Sequence, residues 1–233
     1  MATRAAGAMA LALWLSALCS DAVLAHGLQG KDAVFLQGLD GRAIGALMYL
    51  GAKHMVTGYD HLLFLVGVIF FLYRLKDVLL YVSLFTIGHS ITLLAGVLGG
   101  IRANPYLIDA IIGFSVVYKA FENMNGFKWF FGSAPNTRLA VLVFGFFHGF
   151  GLATKLQEFE LSPNGLVANI VSFNAGVEVG QGLALAVILA ALNAWRTRTS
   201  FMKLAFLTNA GVMASGLLLV GYQLSGYFLA DLS

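Results

Sequence analysis

Six long apolar stretches, separated by short polar breaks, constrain the fold of this chain more than any other feature of its sequence. Most of them are long enough to cross a hydrocarbon core of about 30 Å as α-helices. An apolar fraction of 59 % with only 11 % charged residues is atypical of a soluble domain. The sequence predicts an all-α, polytopic transmembrane helical bundle of about six spans with a short amphipathic lead-in helix from about Ala43. The predicted stretches cover residues 51–73, 78–99, 106–127, 139–156, 166–195 and 204–229.

The chain divides into three predicted segments. Residues 1–25 are predicted to be a signal peptide, because Arg4 precedes a short apolar run and residues 23–25 resemble a cleavage site. Residues 26–42 form a polar periplasmic segment, and residues 43–233 form the transmembrane helical domain. With a modest excess of Lys and Arg in alternate loops, this predicts a multi-pass protein of the bacterial inner membrane with both mature termini in the periplasm.

Charge and cysteine content limit the partners of the protein. The net charge of +3 is spread along the chain rather than clustered, so the expected partner is a lipid bilayer and not a nucleic acid. The single cysteine, Cys19, lies in the predicted signal peptide. The mature chain is therefore expected to lack thiols, which excludes thiolate metal sites.

Ionisable residues within the apolar stretches point to a metal site. Each such group costs about 2.5–3.5 kcal/mol at membrane depth, so it usually faces the protein interior and has a function. Counting along each helix from its cytoplasmic end, His148, His61 and His89 lie about 15–20 Å deep, and Glu178 about 27 Å deep. Four helices are thus predicted to bring three imidazoles and a carboxylate to one layer. In the absence of thiols this donor set suits Ni, Co or Zn.

The two histidines of the first stretch need a break in their helix to act together. His54 and His61 are seven residues apart, and on an unbroken helix they would stand about 10.5 Å apart. Gly58 is a candidate for the break, and Asp60 for a ligand or for the acceptor that orients a ligating imidazole. The predicted metal ligands are His54, Asp60, His61, His89, His148 and Glu178.

A secondary polar path is predicted beside this site. Asn174 and Gln181 share a helix face with Glu178, at the i, i+4 and i+7 positions. Glu122 and Asn123 are candidates for an exit site near the cytoplasmic end of the third stretch. A structural ion pair is the simpler interpretation of Glu122, because Lys119 precedes it by three residues.

Several motifs resemble those of one known family. HMVTGYDH (54–61) resembles the H-P-x-x-G-x-D-H element of the HupE/UreJ family, and FHGFG (147–151) is similar to its F-H-G element. The resemblance covers nearly the whole mature chain and implies a nickel or cobalt permease associated with hydrogenase and urease maturation. Metalloenzyme maturation proteins would then be its protein partners. Three further motifs look like the second branch of this family: DHLLFL (60–65), FTIGHSITL (85–93) and FNAGVE (173–178).

The residues leave three functions open. The first is a permease, and hence a transporter rather than an enzyme, for a divalent transition-metal cation, Ni foremost and Co or Zn as alternatives. Its uptake should weaken at acid pH, because protons compete for the ligands. The second is a membrane-embedded zinc-dependent hydrolase with Asp60 or Glu178 as general base. The third is a metal-binding accessory subunit of a larger membrane complex.

Overall fold

The computed structural model describes residues 31–159 and 162–230, and the regular secondary structure of this part of the chain is entirely helical. The predicted signal peptide, including Cys19, lies outside the described residues. The all-α membrane bundle predicted from the sequence is confirmed. The described helices, in chain order, are α1 (Lys31–Gln37), α2 (Ile44–Thr57), α3 (Tyr59–Ile69), α4 (Leu75–Leu98), α5 (Pro105–Asn123), α6 (Gly126–Phe131), α7 (Thr137–Gln157), α8 (Leu166–Arg196) and α9 (Ser200–Ala230).

The long helices pack as three close pairs: α4 with α7, α2 with α8, and α5 with α9. The shorter helix α3 lies between these pairs and contacts α2, α4, α5, α8 and α9. Helices α4 and α8, which belong to different pairs, also meet, but far less extensively than either meets its own partner. Side chains on α3 are therefore surrounded by helices from all three pairs.

Four of the described helices, α4, α7, α8 and α9, are individually long and apolar enough to cross a membrane. Two of the predicted stretches have a different form. The first is divided at Gly58 into α2 and α3, of 14 and 11 residues, as the predicted lead-in helix with its break requires. The third, α5, has 19 residues but carries Asp109, Lys119 and Glu122.

Asparagine side chains fix the start of two helices. Asn104 accepts a hydrogen bond from the Leu107 amide at 3.3 Å, and Pro105 follows it at the first helical position. Asn136 accepts from the amides of Arg138 and Leu139 at the start of α7. These caps satisfy amide groups that have no partner within the helix.

Glycines allow the backbones of α2 and α8 to touch. A Cβ atom on Gly51 would lie 2.0 Å from the carbonyl oxygen of Phe173, and one on Gly176 would lie 1.9 Å from that of Met48. Small residues at helix crossings permit this packing within a bilayer, where helix association depends on close contact. The two helices are therefore closely packed along the segment that carries His54.

The segment before α2 is hydrogen-bonded to the loop between α7 and α8 and to the first turn of α8. Ser162 Oγ and Asn164 Nδ2 each donate to Asp40 Oδ1 at 2.8 Å. The side chain of Asn169 accepts from the Ala43 amide at 2.8 Å. The hydrogen bonds from Asn164 and, to a smaller extent, Ser162 lower the pKa of the Asp40 carboxyl below its usual value.

Candidate metal centre

Four imidazole rings from four helices meet in the interior of the bundle, and the ring of His61 lies at the centre of the group. The ring centre of His61, on α3, lies 4.7 Å from that of His148 on α7 and 5.2 Å from that of His54 on α2. It lies 5.9 Å from the ring centre of His89 on α4. All four residues are almost fully buried. We call these four residues the imidazole cluster, and it contains every histidine predicted as a ligand.

The interruption at Gly58 explains how His54 and His61 reach each other. Gly58 has an extended backbone (φ −73°, ψ 103°), and its amide still donates to the His54 carbonyl at 2.8 Å. A Cβ atom there would lie 3.1 Å from that carbonyl oxygen and 3.2 Å from His61 Nδ1. This tight connection favours glycine. It brings two rings that a continuous helix would hold about 10.5 Å apart to a centre separation of 5.2 Å.

Glycines next to His89 and His148 set the spacing of α4 and α7. A Cβ atom on Gly149 would lie 2.0 Å from the carbonyl oxygen of His89. One on Gly88 would lie 2.6 Å from the carbonyl oxygen of Leu142. Because larger residues cannot fit at these distances, only glycine permits this crossing. The glycine beside each histidine thus places both imidazoles in the same interior space.

Ser115 on α5 determines which nitrogen of His148 carries a proton. Its hydroxyl donates to the Ile112 carbonyl at 2.6 Å, and its Oγ lies 3.1 Å from His148 Nε2. Since a serine hydroxyl has a single proton, Nε2 must donate to Oγ. The lone pair of a neutral His148 is therefore on Nδ1. That atom is buried without a hydrogen-bond partner.

Asp60 likewise determines which nitrogen of His61 donates a hydrogen bond. Asp60 Oδ1 lies 3.0 Å from His61 Nδ1 and also accepts from the His61 backbone amide at 2.9 Å. A carboxylate only accepts hydrogen bonds, so Nδ1 carries the proton, and in a neutral His61 the lone pair is on Nε2. His61 Nε2 is buried without a hydrogen-bond partner. Asp60 also lies in the first turn of α3, where the helix dipole favours a negative charge.

Phenylalanine rings surround the cluster. Phe85 is centred 5.0 Å from His148 and 6.0 Å from His89, and Phe64 is centred 5.2 Å from His148. His89 Nε2 is also buried and lacks a hydrogen-bond partner. Leaving such a polar atom unsatisfied costs about 1–3 kcal/mol. Three histidines therefore each present one unsatisfied nitrogen in an apolar setting.

The nitrogen lone pairs are not yet directed at one point. Within residues 31–159 and 162–230, no group of three His, Cys, Asp or Glu side chains is already arranged to hold a metal ion. The rings of His54, His89 and His148 stand edge-on to that of His61, with interplanar angles of 77°, 71° and 85°. The structure thus gathers the imidazoles without forming a complete coordination geometry.

Glu178 is placed differently from the prediction. We expected a buried carboxylate in the layer of the imidazoles, but the Glu178 side chain is exposed, at the contact between α8 and α4. Its Oε1 accepts from Ser90 Oγ at 3.4 Å and from Asn174 Nδ2 at 3.3 Å. Successive side chains on a helix diverge by about 100°, so Ser90 points to a different face of α4 from its neighbour His89. Sharing a depth therefore did not place Glu178 on the same face as the imidazoles.

His61 and Gln181, a member of the predicted polar path, line the same small void. Gln181 is buried, and its Oε1 accepts from Thr86 Oγ1 at 3.2 Å. Apolar and aromatic residues form the rest of the lining, among them Val68 on α3 and Tyr81 on α4. Both residues lie toward the helix ends that the sequence assigns to the cytoplasmic side.

The predicted exit residues Glu122 and Asn123 are held by other partners. Lys119 Nζ donates to Glu122 Oε2 at 2.7 Å, and Thr137 Oγ1 donates to Glu122 Oε1. Asn123 Nδ2 donates to the Gly67 carbonyl at 2.8 Å. The ion pair that the sequence predicts is therefore present, and it is reinforced by a threonine on α7. We call Lys119, Glu122 and Thr137 the ion-pair network.

Sequence reasoning missed Ser115, which orients His148, and Ser90, which contacts Glu178. The only signal was a hydroxyl residue inside an apolar stretch. That signal has little specificity, because serine in such helices usually bonds to its own backbone. Ser215 illustrates the common case, since it is buried and donates to the Gly211 carbonyl at 3.0 Å.

Comparison with known proteins adds one finding. No curated protein and no solved structure matches the chain. A family model described as HupE / UreJ protein matches residues 30–231. The matched segment includes all the described helices and the whole imidazole cluster. Because the match spans most of the sequence, the chain belongs to the HupE/UreJ family.

Proposed function

We propose that this protein is a membrane permease for a divalent transition-metal cation, with Ni(II) as the preferred substrate and Co(II) as a second. The association of the HupE/UreJ family with nickel and cobalt transport supports the substrate class. The observation that carries the proposal is the set of unsatisfied imidazole nitrogens on His61, His89 and His148. Three helices deliver them to one buried space.

The energetics favour a ligand at this position. Three unsatisfied nitrogens at about 1–3 kcal/mol each are a substantial cost for a protein to retain without a function. A bound cation would satisfy them together. Ser115 and Asp60 support the same role, because ligating histidines usually donate their other N–H to an acceptor of this kind.

The spacing of the rings also suits a shared ion. Metal–nitrogen bonds of about 2.0–2.1 Å would hold the ring centres of two ligands about 5 Å apart. The observed separations from His61 are 4.7, 5.2 and 5.9 Å. Nitrogen donors with a nearby carboxylate suit Ni, Co and Zn.

The association of the family with metal transport supports a permease in preference to a hydrolase. A hydrolytic site needs one opening, whereas a permease needs a continuation toward the second side of the membrane. We place the protein in the bacterial inner membrane, with both mature termini in the periplasm.

Uptake of radioactive nickel into whole cells tests the proposal when it is combined with calorimetric titration of the purified protein. His61→Ala and His148→Ala should each lower Ni(II) affinity by about 100-fold and abolish saturable uptake, since each removes a ligand. Ser115→Ala should lower affinity by about tenfold, because it frees the orientation of His148. Ser215→Ala is the matched control, a buried serine that bonds only to its own helix, and it should behave as the wild type.

Two results would overturn the proposal. Equal nickel uptake by the wild type and both histidine variants would remove the role of the cluster in transport. Zinc retained by the purified wild type and lost from His61→Ala, together with such equal uptake, would favour the hydrolase instead.

A further inference from the structure

A layer of buried leucines lies between the imidazole cluster and one end of the bundle. On α2, α4 and α7, the residue four positions from the histidine of that helix is a leucine, on the side where α2 begins and where α4 and α7 end. Residues four apart lie on the same face of a helix, so each leucine covers the face that carries an imidazole. We call these residues the leucine layer: Leu50, Leu93 and Leu152, which are at most 4 % exposed.

Leu36 on α1 completes this layer. Leu36 has no exposed surface, and it belongs to the same apolar cluster as all three residues of the leucine layer. A hydrated divalent cation does not pass such a constriction, because it would lose water there without gaining a ligand. With α1 in this position, the imidazole cluster is therefore closed toward this end of the bundle.

Few interactions of the described side chains hold α1 in place. Leu36 is buried, but Val34 is 71 % exposed and Phe35 is 41 % exposed. The helix contacts the other described helices far less than the paired helices contact each other. A second attachment is an ion pair with α2, in which Lys53 Nζ donates to Asp32 Oδ2 at 2.6 Å. Because this pair is partly exposed, it contributes little stability, and α1 can be displaced without separating the helix pairs.

The segment that follows α1 is fixed more firmly than α1 itself. Asp40 accepts hydrogen bonds from two residues of the loop between α7 and α8. Gly38 lies between the last residue of α1 and this fixed point, and Gly41 has a positive φ of 87° that favours glycine. A change of backbone angles at Gly38 would therefore move α1 while α2 stays packed against α8.

We propose that α1 is a hydrophobic gate over the imidazole cluster, in which Leu36 closes the leucine layer and the Asp32–Lys53 ion pair holds α1 closed until it swings away about Gly38. The inference rests on the proposed transport function, and it names the step that controls entry of the cation. With the mature termini in the periplasm, the gate faces the periplasm. Withdrawal of Leu36 wets the leucine layer and admits the cation to the imidazoles.

Thiol labelling of the full-length protein in nanodiscs tests the gate, with Cys19→Ser as the background. Leu36→Cys and its matched control Leu47→Cys replace leucines buried in the same apolar cluster, the first on α1 and the second on α2. A water-soluble maleimide should modify Leu36→Cys about tenfold faster than Leu47→Cys, because only α1 swings into water. Asp32→Asn should raise the first rate about threefold and leave the second unchanged.

The kinetics of nickel binding keep the test decisive if Leu36→Cys does not fold. Removing a carboxylate from the entrance would, by charge alone, slow the association of a cation. Loss of the ion pair in Asp32→Asn should instead speed association and dissociation of Ni(II) about threefold each in stopped-flow measurements, with the affinity almost unchanged. Asp77→Asn is the control, because Asp77 lies in the first turn of α4, at the end remote from the leucine layer, and both rates should stay at the wild-type value.

Three outcomes separate this inference from the proposed function. Equal labelling of Leu36→Cys and Leu47→Cys, whether slow or fast, would overturn the gate. Slower association of Ni(II) in Asp32→Asn would overturn it as well, and normal nickel affinity in the same protein would leave the permease in place. The expected labelling in a protein that binds no Ni(II) would sustain the displacement of α1 and remove the imidazole site.

Discussion

The imidazole cluster and the ion-pair network are both sets of polar groups within the same apolar bundle. They differ in that the charged groups of the network have hydrogen-bond partners, whereas several nitrogens of the cluster have none. In the ion-pair network, Glu122 is met by Lys119 and by Thr137. In the imidazole cluster, nitrogens of His61, His89 and His148 have no hydrogen-bond partner. A satisfied buried network stabilises one conformation, whereas unsatisfied donors and acceptors reduce stability and prepare a site for a ligand.

The largest expected effect comes from breaking the ion-pair network. Lys119→Met leaves the Glu122 carboxylate buried without its cation, which should lower the free energy of unfolding by about 3 kcal/mol. Nickel affinity should stay within twofold of the wild type. Unfolding in mixed detergent micelles and calorimetric titration measure the two quantities.

Lys119→Met/Glu122→Gln is the control for this variant. It removes both charges and should recover part of the lost stability. A large loss of nickel affinity in Lys119→Met, with a small loss of stability, would mean that the ion-pair network belongs to the transport path.

The reverse result is expected for His89→Leu in the imidazole cluster. Nickel affinity should fall by about 100-fold, because a ligand is lost. The free energy of unfolding should stay equal or rise by about 1 kcal/mol, since an unsatisfied buried nitrogen is replaced by an apolar group of similar size. The same titration and unfolding measurements apply. A strong destabilisation of the metal-free protein would show that His89 has a structural role instead.

Gly149→Ala should affect both properties, because it separates α4 from α7 without removing a ligand. The added Cβ would lie 2.0 Å from the His89 carbonyl oxygen. Overpacking of this kind should cost about 2 kcal/mol of stability and lower nickel affinity about tenfold. Gly182→Ala is the control, since a Cβ there meets nothing within 4 Å, and it should stabilise the protein by about 0.5–1 kcal/mol. Wild-type affinity in Gly149→Ala would contradict the role of this crossing.

The smallest expected effect lies outside the bundle, at Asp40. Its lowered pKa means that the folded protein binds a proton there less readily than the unfolded chain. The stabilisation is therefore present above the ordinary pKa of 3.8 and is lost as the pH falls through the folded value. The thermal midpoint of Asp40→Asn should be slightly below that of the wild type at pH 6, and the difference should shrink as the pH falls below 3.8. A difference that does not shrink on acidification would assign the effect to geometry rather than to charge.

Part of the candidate site was accessible from the sequence. Histidines within apolar stretches are costly, so they predict a shared interior position, and the four rings do meet. The break at Gly58 was predicted from the same reasoning and is present. The face of α8 that carries Glu178 was not predictable, because depth along a helix does not determine which neighbour a side chain meets. The role of Ser115 could not be predicted either, since its partner His148 lies on another helix.

The sequence alone determined that this protein is a helical membrane bundle with ionisable groups at mid-depth. The length and apolar character of each stretch are local properties, and the cost of burying charge in a bilayer applies whatever the tertiary fold. The tertiary structure decided which helices pair, which nitrogen of each histidine is left unsatisfied, and which carboxylates are already paired. Those outcomes depend on contacts between residues far apart in the chain, because the glycine crossings that align α4 with α7 and α2 with α8 are set by packing rather than by local pattern.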